Sequence, residues 1–235
     1  MNYHFLSSIP WLLFLLITIY WLCLIVRSRT GWAIINPVVI GTATLIIYLK
    51  LTQVSYIEFE QAGRLISFWL QPAVVCLAVP LYQQWSKIKK QWIAIISAQV
   101  IGSIVGIVSG VWFAYWLGAS KEISMSLAAK SVTMPIALEI TKVIDGIPAI
   151  VSAGVILAGA LGQSFGYWLL HRSWIKNPIS QALAQGTGSH AMGIAASLDI
   201  SKQFAAYATV GLIFNGILTA FITPFLIIWM GFGQS

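Results

Sequence analysis

Lys130, Ser131 and Thr133 stand together in Met125-Ser-Leu-Ala-Ala-Lys-Ser-Val-Thr-Met-Pro-Ile-Ala-Leu138, a stretch that is otherwise almost wholly apolar. An ammonium at membrane depth costs roughly 2.5–3.5 kcal/mol on insertion scales, so a lysine kept there is kept for a role. The two hydroxyls beside it, with Pro135 just beyond, make a set that breaks helices and bonds to backbone. A half-helix starting at Pro135 would aim free amides and a positive dipole end at the same spot. Together these groups suit a small anion. The competing account is a lysine that snorkels to the interface or pairs permanently with Glu139 or Asp145.

A second polar cluster lies in Gly186-Thr-Gly-Ser-His190-Ala-Met-Gly193. Thr187, Ser189 and His190 offer donors and acceptors, while Gly186, Gly188 and Gly193 permit irregular backbone. Histidine titrates closest to working pH, so His190 could hold a carboxylate or carry a coupling proton. A hydrogen-bonded core histidine explains the same residue without any function. Gln71 and Tyr82 bound a third segment shaped by Pro72 and Pro80, and could line the same cavity; a packing hinge fits those prolines equally well. No catalytic set emerges. Ser189 and His190 are neighbours that a helix would point about 100° apart, and no nucleophile elbow surrounds them. Walker, dinucleotide and zincin patterns are missing, so neither an enzyme nor a bound metal or cofactor is expected.

The elements that must position these groups are membrane helices. Hydrophobic residues make up 59% of the 235 and charged residues 8%, against about 45–50% and about 25% in a soluble domain. So few charges could not clothe a soluble chain of this length. The expected fold is all-α: a single integral membrane domain over 1–235 with about seven or eight segments, some discontinuous or re-entrant. The net charge of +7 is no nucleic-acid footprint, because basic residues fall in small groups between apolar runs. Arg27/Arg29, Lys87/Lys89/Lys90 and Arg172/Lys176 follow the positive-inside pattern of a multi-pass protein, and since nothing resembles a basic, Ser-rich transit peptide a bacterial inner membrane is expected. Cys23 and Cys76 both sit within apolar runs and read as small hydrophobic residues.

Spans are expected at about 7–26, 32–49, 65–84, 92–117, 149–170 and 204–230, with Lys50 to Arg64 as the most polar stretch and a basic turn at 87–90. Asn215-Gly216 and Pro224 would interrupt the last span. Gly102, Gly106 and Gly110 form a small-residue ridge for close helix approach, within the chain or in a homo-oligomer. Segments 123–145 and 179–200 either enter as hairpins from opposite faces or cross the bilayer. Charge counting prefers hairpins slightly, with both termini outside, and either topology brings the two polar clusters to the midplane.

Taken in order, Gln71-Pro-Ala-Val-Val, Leu81-Tyr82, Lys130-Ser-Val-Thr, Pro135-Ile-Ala, Gly146-Ile-Pro148 and Gly186-Thr-Gly-Ser-His190 resemble the LrgB/CidB family, most closely its YohK-like bacterial members, from about residue 30 to the end. That family is similar to the C-terminal part of the plastid glycolate/glycerate translocator. The resemblance implies a carrier of small monocarboxylate anions of the 2-hydroxy or 2-keto type. It implies, alternatively, an antiholin-like modulator of murein hydrolases working beside a small LrgA/CidA-like membrane protein. On the carrier reading Lys130 supplies the counter-charge, Ser131, Thr133, Thr187 and Ser189 bond the anion, and His190 is a second contact or proton relay. Two departures stand out. Ala129 and Met134 replace the family's usual Pro and Thr, and Ala191-Met-Gly193-Ile-Ala195 lacks its threonine.

Overall fold

The computed structural model describes residues 3–30, 36–69, 72, 75–76, 78–83 and 85–233, and among them it is all-helical, without a strand. Contacts divide it into two compact units, Met1–Ala78 and Val79–Ser235.

The first unit holds α1 (Tyr3–Leu6), α2 (Ile9–Thr30), α3 (Pro37–Thr52) and α4 (Tyr56–Ser67). Asn36 starts α3 by accepting from the Val38 and Val39 amides, with Pro37 at the first helical position, where its missing N–H is no loss. The polar stretch after Lys50 is the amphipathic helix α4. Ser55 and Glu58 form a capping box that starts it, and Glu60 pairs with Arg64 one turn on. Composition alone hid this helix, since its signal is periodicity. Leu12, Val54 and Ala62 pack at the unit's core, and the Trp11 indole donates to the Tyr48 hydroxyl at 2.7 Å.

The second unit begins with two short helices, α5 (Ala78–Gln83) and α6 (Trp85–Lys90). Of the expected kinked span at 65–84, the end of α4 and the whole of α5 are helical, several of its other positions lie outside the described residues, and the expected basic turn is itself helical. Then come α7 (Trp92–Trp116), α8 (Lys121–Ser126), a 3₁₀ turn (Leu127–Ala129), α9 (Met134–Val143), α10 (Pro148–Arg172), α11 (Pro178–Ile200) and α12 (Lys202–Trp229). Among the described residues four helices are long and apolar enough to cross a membrane: α2, α7, α10 and α12.

Two hairpins hang between these long helices. The first leaves the C-terminal end of α7 as α8, turns at 127–133, and returns as α9 to the start of α10. Its arms are tied at the base, where the Ile147 amide donates to Ser126 Oγ at 2.7 Å. Asp145 takes φ 53° in the turn that follows α9, and Pro148 opens α10.

The second hairpin is α11 itself. His190 has φ 43° and ψ −132°, far from helical values, and the chain reverses there. In a straight helix about 12 Å would separate Gln185 from Gly193, yet a Cβ on Gly193 would collide with the Gln185 carbonyl oxygen. Both arms run along α10. The outgoing arm meets it through Gln185 at Gly162 and Gly166, and the tip through His190 at Val155. The returning arm comes back to Tyr167 through Ser197. Non-helical backbone in 179–200 is therefore confined to one residue. Gly186 and Gly188 are helical, which corrects the expectation that they break the backbone; Gly186 instead lies against the Ala208 carbonyl, where any Cβ would clash.

The interruptions expected in the last span also do not occur. Helix α12 runs through Asn215, Gly216 and Pro224 without a break. The Thr223 hydroxyl donates to the Thr219 carbonyl at 2.6 Å beside the proline, and Asn215 turns its amide to neighbours instead of its own backbone.

Candidate functional site

The hairpin tips meet between α7, α10 and α12, and Asn215, near the middle of α12, joins them. Its Nδ2 donates to the Ser131 carbonyl at 3.1 Å in the first tip and to the Thr187 carbonyl at 3.0 Å in the second. Its Oδ1 accepts from Ser103 Oγ at 2.7 Å, from the middle of α7, and from Thr219 Oγ1 at 3.3 Å. Asn215 is 2% exposed and both its amide atoms are used, so it is a fully satisfied polar knot in an apolar interior.

Lys130 lies at the first tip. Its ammonium donates to the Gly106 carbonyl at 2.8 Å, and no ion pair to it exists among the described residues. Glu139 is taken by Lys142 at 2.7 Å on the surface, and Asp145 is exposed in its turn, so the pairing considered for Lys130 does not form. Nor does the lysine snorkel outward, because its side chain lies in the ridge of α7. A Cβ on Gly110 would come within 2.6 Å of Lys130 Nζ and 2.9 Å of the Leu127 carbonyl, and one on Gly106 within 3.8 Å of Ser131 Oγ. The ridge Gly102-Gly106-Gly110 is thus filled from within the chain by Thr187, Ser131 and Lys130.

An ammonium has three donors, and a carbonyl satisfies one. Beside it, the hydroxyls of Ser131 and Thr133 have no hydrogen-bond partner among the described residues. Thr133 is the N-cap of α9 without a side-chain cap bond. Pro135 stands at the second helical position and is exposed, so the half-helix begins one residue earlier than expected, at Met134.

Ser189 and His190 face α10 instead. The His190 Nε2 lies 3.0 Å from the Val155 carbonyl, which can only accept, so the ring is protonated at Nε2, and its Nδ1 has no partner among the described residues. The imidazole occupies the space over Gly159, Ser189 that over Gly162 and Gln185 that over Gly166. Lys130 and His190 nevertheless approach neighbouring positions of α10, since Lys130 Cβ lies 3.5 Å from where Gly154 would carry a Cβ. Of the remaining expected residues, Thr187 Oγ1 lies 2.9 Å from Gln99 Oε1 and 2.7 Å from the Leu183 carbonyl, its one proton shared between these two acceptors. Gly193 closes the reversal against Gln185. Gln71 lies outside the described residues, while Pro72 and Tyr82 are exposed.

Three contributors were missed in the sequence: Asn215, Ser103 and Gln99, each 2% exposed. Their signal was present, since each is a hydrogen-bonding side chain in an otherwise apolar span. The second glycine face was also legible, because Gly159, Gly162 and Gly166 recur at helical spacing. Among the described residues no cluster of side chains could hold a metal ion.

Residues 16–229 match the LrgB-like family. An uncharacterized protein of Haemophilus influenzae is 33% identical over 213 residues, covering 91% of this chain and 92% of that protein. Proteins named antiholin-like protein LrgB are 33% identical in Bacillus mycoides and 32% in Bacillus cereus, each over 208 residues that cover 88% of this chain and 90% of theirs. No solved structure matches.

Proposed function

This chain belongs to the LrgB-like family, and on that premise we propose that it is a bacterial inner-membrane protein with an antiholin-like role. The observation that carries this reading is the name shared by relatives over 88% of the chain. The role would be exercised beside a small LrgA/CidA-like membrane protein, through apolar helix faces turned to the bilayer. With the two hairpins counted among its segments, the chain would have seven or eight, the hairpins entering from opposite membrane faces.

The geometry of Lys130 favours a second reading, a carrier of small monocarboxylates such as glycolate, glycerate or pyruvate. A half-buried ammonium with one carbonyl partner and no carboxylate is incomplete, and an anion would complete it. Lys130 would be the counter-charge, with Ser131 and Thr133 bonding the carboxylate and the open start of α9 behind them. Ser189 would lend support from the second tip, and His190 would relay a proton. Movement of the two hairpins against α7, α10 and α12 would give alternating access.

Liposomes separate the readings. The purified chain, alone and with its LrgA-like partner, is assayed with labelled pyruvate or glycolate. Saturable flux in either condition establishes the carrier. Its absence in both leaves the antiholin-like role.

A further inference from the structure

A cavity of about 490 Å³ lies between the first half of α7 and the outgoing arm of α11. Its walls are apolar, including Ala98, Leu183 and Ala184, and its floor is Gln99 with Thr187, next to Gly102 and Gly188. Gln99 is the unexplained group. It is 2% exposed and bonded only through Oε1, to the Thr187 hydroxyl; its Nε2, with two donors, has no partner among the described residues. Turning the amide over does not resolve this. Nε2 would then donate to Thr187, leaving Oε1 and one N–H bare. A buried amide with unused hydrogen-bonding capacity is costly unless something else meets it.

Gly188 is open, with no heavy atom within 4 Å of where its Cβ would stand. Gln91, Asn177 and Ser180 line one end of the cavity, next in sequence to the exposed Lys90 and Lys176, and cations at that end attract anions. Small apolar walls suit a short carbon chain, and the amide N–H groups at the floor can donate to a carboxylate.

We infer that this cavity binds a short 2-hydroxy or 2-keto carboxylate through the Gln99 amide, one station before Lys130. The ligand class rests on the carrier reading; the site does not. Thr187 belongs both to the floor and, through its carbonyl, to the Asn215 knot. A ligand at Gln99 is therefore one hydrogen-bonded residue from the hairpin junction.

The test uses full-length protein in liposomes, with Cys23 and Cys76 changed to Ser and Ala98→Cys as reporter. The neutral reagent N-ethylmaleimide should label position 98, and pyruvate or glycolate should slow that labelling. Labelling at Ala119→Cys, beyond the far end of α7, should be unaffected. Gln99→Glu replaces the donors with a negative oxygen and should raise the pyruvate concentration for half-protection about tenfold or more. Ala184→Phe fills the cavity without touching the amide and should also abolish protection.

No labelling at position 98, or labelling that neither acid slows, overturns the site. Protection unchanged by both variants overturns it as well. Parallel flux measurements keep the two claims apart. Flux without protection sinks the site and spares the carrier, whereas protection without flux spares the site and sinks the carrier.

Discussion

The Asn215 amide nitrogen lies 3.1 Å from the carbonyl oxygen of Ser131, a residue at a hairpin tip 84 positions away in the chain. The same nitrogen meets the Thr187 carbonyl at 3.0 Å in the other tip. Both carbonyls sit where the chain departs from or approaches irregular backbone, beside a buried Asn215. One side chain thereby satisfies two groups that helical bonding alone would leave wanting.

Asn215→Leu should consequently destabilise the fold, by about 1–3 kcal/mol for each carbonyl left bare. Asn215→Asp keeps the acceptor for Ser103 and Thr219 but loses both donors, so it should rescue little. Thermal unfolding in detergent, followed by loss of the monodisperse peak in gel filtration, measures both. Wild-type melting of Asn215→Leu would show that the knot holds nothing.

The glycines divide sharply in their tolerance. A methyl at Gly186 would overlap the Ala208 carbonyl, and one at Gly162 would overlap Ser189 Oγ, whereas Gly188 has open space around it. Gly186→Ala and Gly162→Ala should therefore separate α11 from its neighbours and lower the melting temperature strongly. Gly188→Ala should melt as wild type or slightly higher, since alanine is favoured over glycine in a helix by about 1 kcal/mol. The same gel-filtration melts decide it, and equal behaviour of the three variants would contradict the packing.

His190 supports a prediction of a different kind. Its φ of 43° with ψ −132° lies in a region that glycine reaches freely and other residues reach at about 1–3 kcal/mol. His190→Gly and His190→Ala both delete the hydrogen bond to Val155, but only glycine removes the strain. His190→Gly should melt above His190→Ala, the reverse of the usual order of these two residues in a helix. If alanine proves the more stable, residue 190 does not turn the chain.

Much of this arrangement could be read from residue type and spacing. The broken segment at Lys130-Ser-Val-Thr, the turn at Asp145-Gly-Ile-Pro148 and the ridge Gly102-Gly106-Gly110 all carry local signals that the structure keeps. The reversal at 190 does not. The glycines nearby drew attention to themselves, yet Gly186 serves a helix contact and Gly188 stands open while a histidine takes the positive φ. That choice depends on Gly159 and Val155, which are distant in sequence. Asn215-Gly216 and Pro224 misled for a related reason. Residues that break an isolated helix are held straight when Thr219, Thr223 and the hairpin carbonyls meet their polar groups. Helix α4 was obscured by polarity, although Ser55 and Glu58 spelled out its start.

Lys130→Met tests function and energetics together. The wild-type ammonium is half-buried in the α7 ridge with a single carbonyl for company, a placement in which a charge lacks adequate compensation. Methionine has nearly the same length and flexibility, and it removes the charge while filling the space between Gly106 and Gly110. The variant should insert normally and melt at or above the wild-type temperature, because no ion pair is broken. Under the carrier reading the same variant should lose saturable uptake of labelled pyruvate, with Lys130→Arg unable to restore it, since the guanidinium is too broad for a site where a Cβ on Gly110 would already stand 2.6 Å from Nζ. Greater stability with lost flux identifies a lysine kept for its ligand. Lower stability with intact flux would make Lys130 a structural strut and take it out of the carrier's binding site.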